Sequence, residues 1–131
     1  MRVMVVRPGP LFSVQDVHAG VIAGLQANGV EVFDVALDDL LELYSRSHLL
    51  RGDEWQPIFD TTGAAMMAAE HLKARLYELW PDVVILTSCF WIPPVLYGVL
   101  RARPHHVVAW LTESPYEDNR QIDIAPHVDT V

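Results

Sequence analysis

The chain has 131 residues, 51% hydrophobic and 20% charged, which suits one globular domain with a single buried core and excludes a disordered segment. Its formal net charge is −8 at pH 7, and no cluster of Lys and Arg offers the basic face that nucleic acid or anionic lipid needs. The apolar run at the N-terminus stops at Arg7-Pro8, too short for a signal peptide, and no stretch approaches the ~20 apolar residues of a membrane span, so a cytoplasmic location is expected.

Val3 to Val6 is an uninterrupted apolar run before Arg7-Pro8-Gly9-Pro10. A strand without polar alternation is buried on both faces, as central parallel strands are. Ser13 or Asp16 can cap the helix that follows, with Val17, Val21, Ile22 and Leu25 as its apolar face and Asn28-Gly29 as its end. Val30 to Leu37 alternates in part and predicts a second strand. Asp38 can cap a short helix through about Tyr44, and Ser45 to Asp60, with Gly52, Pro57 and mixed polarity, is expected to be a loop. Thr61 or Thr62 starts a long helix ending near Trp80, with a core stripe of Ala65, Ala69, Leu72, Leu76 and Leu79. Val83 to Thr87 is the clearest buried strand. Pro93-Pro94 suits the first turn of a helix carrying Val95, Leu96, Val99 and Leu100, closed by Pro104. Val107 to Leu111 is a fourth strand, Asp118 opens a helical turn, and Val128 to Val131 begins a fifth.

Strands alternating with helices predict an α/β fold: a doubly wound, mostly parallel, Rossmann-like sheet of about five strands with helices on both faces. The first strand lies beside either the third or the fourth. Ligands bind such sheets at the carboxyl ends of the strands, where connections leave for opposite faces. The candidate site residues are therefore Arg7, Pro8, Gly9 and Pro10, then Thr87, Ser88 and Cys89, then Thr112, Glu113, Ser114 and Tyr116. Gly9 permits close backbone approach, and the helix after it offers amides to a phosphate or carboxylate; only one glycine of the three-glycine dinucleotide fingerprint is present. Glu113, at a strand end, can accept hydrogen bonds from sugar hydroxyls or serve as a catalytic base. His18 is expected to be a half-buried or solvent-facing histidine. The single cysteine, Cys89, excludes an internal disulfide and a cysteine-rich zinc site, and the six histidines lack ligand spacing, so no metal is expected.

Trp110-Leu-Thr-Glu113-Ser-Pro-Tyr116-Glu-Asp118, followed by Val128-Asp-Thr-Val131, resembles a group of bacterial and phage glycosyltransferases. These are the type with two Rossmann-like domains (GT-B), related to spore-maturation and other family 1-like enzymes. The resemblance implies that this chain is the N-terminal, acceptor-side half. A C-terminal domain would grip the nucleotide sugar, which is a substrate and not a cofactor, and the chain alone would be inactive. On this reading Glu113, already the candidate base from its strand-end position, is the expected catalytic residue. Glu113, Ser114 and Tyr116 would contact acceptor or bridge to the partner domain, Ser88 is a further expected substrate contact from its strand-end position, and Pro8, Gly9 and Pro10 would approach the donor phosphates. Trp55 can stack on an acceptor sugar. An isolated half would expose the surface meant for its partner, giving weak self-association. Two other classes remain. Asp16-Val-His18-Ala-Gly20 resembles the Asp-x-His-x-x-Gly of cobalamin-binding domains, with the glycine one residue early and Val21 in its place. A non-catalytic binding module is the other; a phospho-receiver is disfavoured because Arg7 and Ser88 occupy the regions where acidic residues are needed.

Overall fold

The computed structural model describes residues 1–7, 14–88, 92, 94–102, 104–112 and 118–131, with backbone alone at 94–96, 118 and 120. In chain order these form β1 (Arg2–Val6), α1 (Gln15–Ala27), β2 (Glu31–Val35), α2 (Leu37–Ser45), β3 (His48–Arg51), β4 (Glu54–Pro57), α3 (Thr61–Leu79), β5 (Val83–Thr87), α4 (Pro94–Arg101), β6 (His106–Trp110), α5 (Asp118–Ile124) and a 3-10 turn, Ala125–His127. Four strands make a parallel sheet in the order β2-β1-β5-β6, with Val5 opposite both Asp34 and Ile85, and Ile85 opposite Val108. The fold is thus α/β with a mostly parallel, Rossmann-like sheet. β1 takes the first of the two expected positions, beside the third long strand. The expected fifth strand is present as one parallel bridge, Val108 to Thr130, with the Ala109 amide donating to the Thr130 carbonyl at 2.8 Å.

The apolar runs are explained by burial on two sides. Val3, Val5 and Ile85 meet Val21, Ile22 and Leu25 of α1. Met4, Val6, Val84 and Leu86 face the other way, onto Leu72 and Leu76 of α3 and Tyr97 and Leu100 of α4. Each fully buried side chain of this size contributes about 1.5–3 kcal/mol. Connections from β1 and from β5 leave in opposite directions to β2 and to β6, so right-handed crossovers put α1 on one face and α4 on the other. The switch in direction falls between β1 and β5, and the crevice it opens lies at their carboxyl ends.

Local details differ from the sequence expectations in several places. Asp16 does not cap α1: the N-cap is Val14, without a side-chain bond, and Asp16 sits in the first turn. Ser13 lies outside the described residues. Asp38 likewise lies in the first turn of α2, whose N-cap is Ala36. The cap of α3 is Asp60, whose carboxylate accepts from the Gly63 amide at 2.6 Å. The helix C-terminus at Asn28-Gly29 is as expected, with Gly29 at φ +74°. The largest difference is Ser45 to Asp60, which contains an antiparallel hairpin of β3 and β4 turned at Gly52, φ +63°. Every residue of both strands is exposed, so no burial pattern marks the strands in the sequence. No helix among the described residues is long and apolar enough to cross a membrane.

Candidate functional site

Arg7 extends β1 by one residue, its amide donating to the Val35 carbonyl at 2.9 Å. With a side-chain period of two, Arg7 joins Val3 and Val5 on the face covered by α1, and Asp34 joins Val32 on that same face. Asp34 pairs with Val5, so Arg7 is its diagonal neighbour across the strands. The guanidinium grips the carboxylate: Nε lies 3.2 Å from Oδ1 and 3.1 Å from Oδ2, and Nη2 lies 2.8 Å from Oδ2. Asp39 adds a looser contact, Oδ2 to Arg7 Nη1 at 4.0 Å. From α1, His18 closes the cluster with Nε2 at 2.9 Å from Asp34 Oδ1.

The electrostatics follow from these contacts. Partial burial pushes the Asp34 carboxyl up, but hydrogen bonds from Arg7 and His18 and their charges outweigh it and hold the group below the usual Asp value. The same bond to Asp34 raises the Arg7 guanidinium. An ionised carboxylate only accepts, so His18 Nε2 carries a proton and donates to Asp34. His18 is 6% exposed, and its Nδ1 is enclosed with no hydrogen-bond partner among the described residues. The sequence expectation of a half-buried or solvent-facing His18 is therefore corrected: its ring fills the space between α1 and the end of β2.

These three side chains line one part of a cleft of about 560 Å³, within the range of small-molecule sites. Ala19, Ile22 and Ala23 of α1 add apolar lining, and Gln15, Asp16, Gln26 and Asp38 add polar lining. Asp38 Oδ1 is also enclosed and without a hydrogen-bond partner among the described residues.

A second polar pair lies at the ends of β5 and β6. Ser88 Oγ and Thr112 Oγ1 are 3.0 Å apart, and the Ser88 amide donates to the Trp110 carbonyl at 3.0 Å. Ser88 is 1% exposed and has φ +47°, left-handed backbone that a non-glycine residue adopts at a cost of roughly 1–3 kcal/mol. Strain of this kind marks positions fixed by their surroundings, here next to the crevice between β1 and β5.

Of the residues expected at the site, Arg7, Thr87, Ser88 and Thr112 lie at the carboxyl edge of the sheet. Pro8, Gly9, Pro10, Cys89, Glu113, Ser114 and Tyr116 lie outside the described residues. Asp34 is the functional candidate that sequence reasoning missed. Its signal was present: in Glu31-Val-Phe-Asp-Val it falls two residues after Val32, on the same face of the strand, where the alternation calls for an apolar residue. Among the described residues no group of three or more His, Cys, Asp or Glu is placed to hold a metal ion. Comparison with protein-family models, with curated proteins and with solved structures finds no match for this chain.

Proposed function

We propose that this chain is the acceptor-side domain of a glycosyltransferase built from two Rossmann-like domains, acting in the cytoplasm on a nucleotide-sugar donor. The observation that carries the reading is the cleft of about 560 Å³ along α1 and the ends of β1 and β2, lined by the Arg7, Asp34 and His18 cluster and by Ala19, Ile22 and Ala23 of α1. A sugar-like acceptor presents hydroxyls on its edges and C–H groups on its faces, and both have counterparts there. The resemblance of Trp110 to Asp118 and Val128 to Val131 to bacterial and phage glycosyltransferases supports the same conclusion from the sequence.

In the reaction, the acceptor oxygen bonds to the anomeric carbon of the donor. The bond from that carbon to the diphosphate oxygen breaks, and the nucleoside diphosphate leaves with the electron pair. The hydroxyl proton passes to a base, the role assigned to Glu113. In this reading Ser114 and Tyr116 contact the substrates and Pro8, Gly9 and Pro10 serve the donor phosphates, while the buried Ser88 acts by positioning the exposed Thr112 through their 3.0 Å contact. The donor is gripped by a second domain.

The test is release of nucleoside diphosphate from uridine, guanosine and thymidine diphospho-sugars. It is run on the chain alone and on the chain with its donor-binding domain, against a panel of saccharide acceptors. Turnover is expected only with both domains and is lost in Glu113→Gln. No release from any donor with any acceptor refutes the reading.

A further inference from the structure

Every residue of β3 and β4 is exposed, and a lone two-stranded ribbon is marginal in water unless a further strand or a packed face supports it. The two edges of this ribbon are not equivalent. The Ile58 amide donates to the Ser47 carbonyl at 2.9 Å, and these two residues are the next pair of the ladder after His48 and Pro57. Bonded and non-bonded pairs alternate along an antiparallel ladder. Leu49 with Gln56 and Arg51 with Glu54 are therefore bonded pairs. His48 with Pro57 and Leu50 with Trp55 are the non-bonded ones, and their backbone groups point away from the hairpin.

The outer edge of β3 thus presents the amides and carbonyls of His48 and Leu50. The outer edge of β4 presents those of Trp55 and Pro57, and Pro57 has no amide hydrogen, which blunts that edge. Charge singles out β3 as well. The chain has a net charge of −8, so two copies repel each other over most of their surfaces. The edge strand β2 of the main sheet carries Glu31 and Asp34. β3 carries no carboxylate, and its Arg51 lies opposite Glu54 of its own hairpin. The side chains add an apolar face: His48, Leu50, Trp55 and Pro57 share one side of the ribbon, with Leu50 50% and Trp55 68% exposed.

We propose that β3 pairs along its outer edge with β3 of a second copy of this chain, antiparallel about a two-fold axis at Leu49, and that assembly stops at the dimer because Pro57 blunts the edges that remain. In this register the His48 amide donates to the carbonyl of the partner's Leu50, and the Leu50 amide donates to the carbonyl of the partner's His48. Both outward amides of each copy are then satisfied. Leu49 faces the partner's Leu49 and Arg51 faces the partner's Ser47, so no like charges are opposed. The two Leu50 side chains become diagonal neighbours on the face that carries Trp55. The contact is isologous and closed. A strand of four residues covers well under the ~800 Å² per partner of a standard interface, so the dimer comes apart on dilution. It uses no residue of the cleft and is independent of the transferase reading.

The test is amide hydrogen exchange of the native chain, read residue by residue by NMR at ~50 µM and ~1 mM, with the mass followed by sedimentation equilibrium. The mass should rise from 14.8 kDa toward twice that value and no further. The His48 and Leu50 amides should exchange about fivefold more slowly at the higher concentration, and the Trp55 amide at one rate in both. A chain still monomeric at ~1 mM overturns the proposal, and so does a dimer that leaves His48 and Leu50 unprotected; both are read without a variant. Leu50→Pro removes an outward amide and no bond of the hairpin. It should stay monomeric at ~1 mM, with slow exchange at Gln56 showing that the hairpin is intact, and a dimer of this variant contradicts the pairing. Pro57→Val gives β4 a second outward amide and should carry association past the dimer. If that variant halts at two copies, Pro57 is not what limits assembly.

Discussion

Asp34 is the residue on which the cleft turns, since both Arg7 and His18 are oriented by its carboxylate. Its folded value lies below the ordinary 3.8. Its stabilisation is therefore fully present above that value and is lost as pH falls through the lower folded value. Removing the charge at neutral pH takes away the closest of Arg7's ion pairs and leaves the looser one to Asp39; because Asp34 is one-third exposed, screening reduces the cost to on the order of 1 kcal/mol. Asp34→Asn should thus melt about 2–5 °C below the native protein at pH 7, and thermal scans should show the gap closing below pH 3.8. A gap independent of pH would mean the effect is steric. Ser88 gives a second test at this scale. Both Ser88→Gly and Ser88→Ala lose the hydroxyl bond to Thr112, but only glycine relieves φ +47°. The glycine variant should be the more stable of the two by roughly 1 kcal/mol in urea unfolding. The importance of His18 and Asp34 was hidden in the sequence because they lie 16 residues apart on different elements, and only the α1 crossover brings them together.

At the scale of elements, burial decided what was readable. β1 and β5 were legible because both of their faces are covered, which removes polar residues from the sequence altogether. Helix α3 was legible by its period, though the buried stripe is centred on Ala64, Ala68, Leu72, Leu76 and Leu79, with Ala65 only partly covered. Leu76 is 0% exposed, so Leu76→Ala should cost about 2–5 kcal/mol, measured as the shift in denaturant midpoint at constant slope. The β3–β4 hairpin shows the opposite case. Leu50 and Trp55 are paired across it and point to the same side, 50% and 68% exposed. A ribbon that buries nothing leaves no pattern to find. Trp55→Ser should accordingly change stability by less than about 0.5 kcal/mol; a larger loss would show that the hairpin packs on the domain.

For the whole molecule, the parallel arrangement and the position of the crevice followed from composition and periodicity, because short apolar strands separated by helices admit few other topologies. Strand order needed the structure, since periodicity carries no information about which neighbours pair. The polar residues at the strand ends and in the neighbouring cleft were half legible. Arg7, Thr87, Ser88 and Thr112 were expected from their positions at strand ends, whereas Asp34 sits inside a strand and His18 inside a helix. The placement of a ligand at the carboxyl edge is tested most directly by a crystal structure of the chain soaked with a neutral saccharide that it binds in solution. Density should lie against Arg7, His18 and Asp34, on the α1 side of the β1 and β2 ends. Density at the opposite edge, near Asp82 and His106, or on Trp55 of the hairpin, would contradict it.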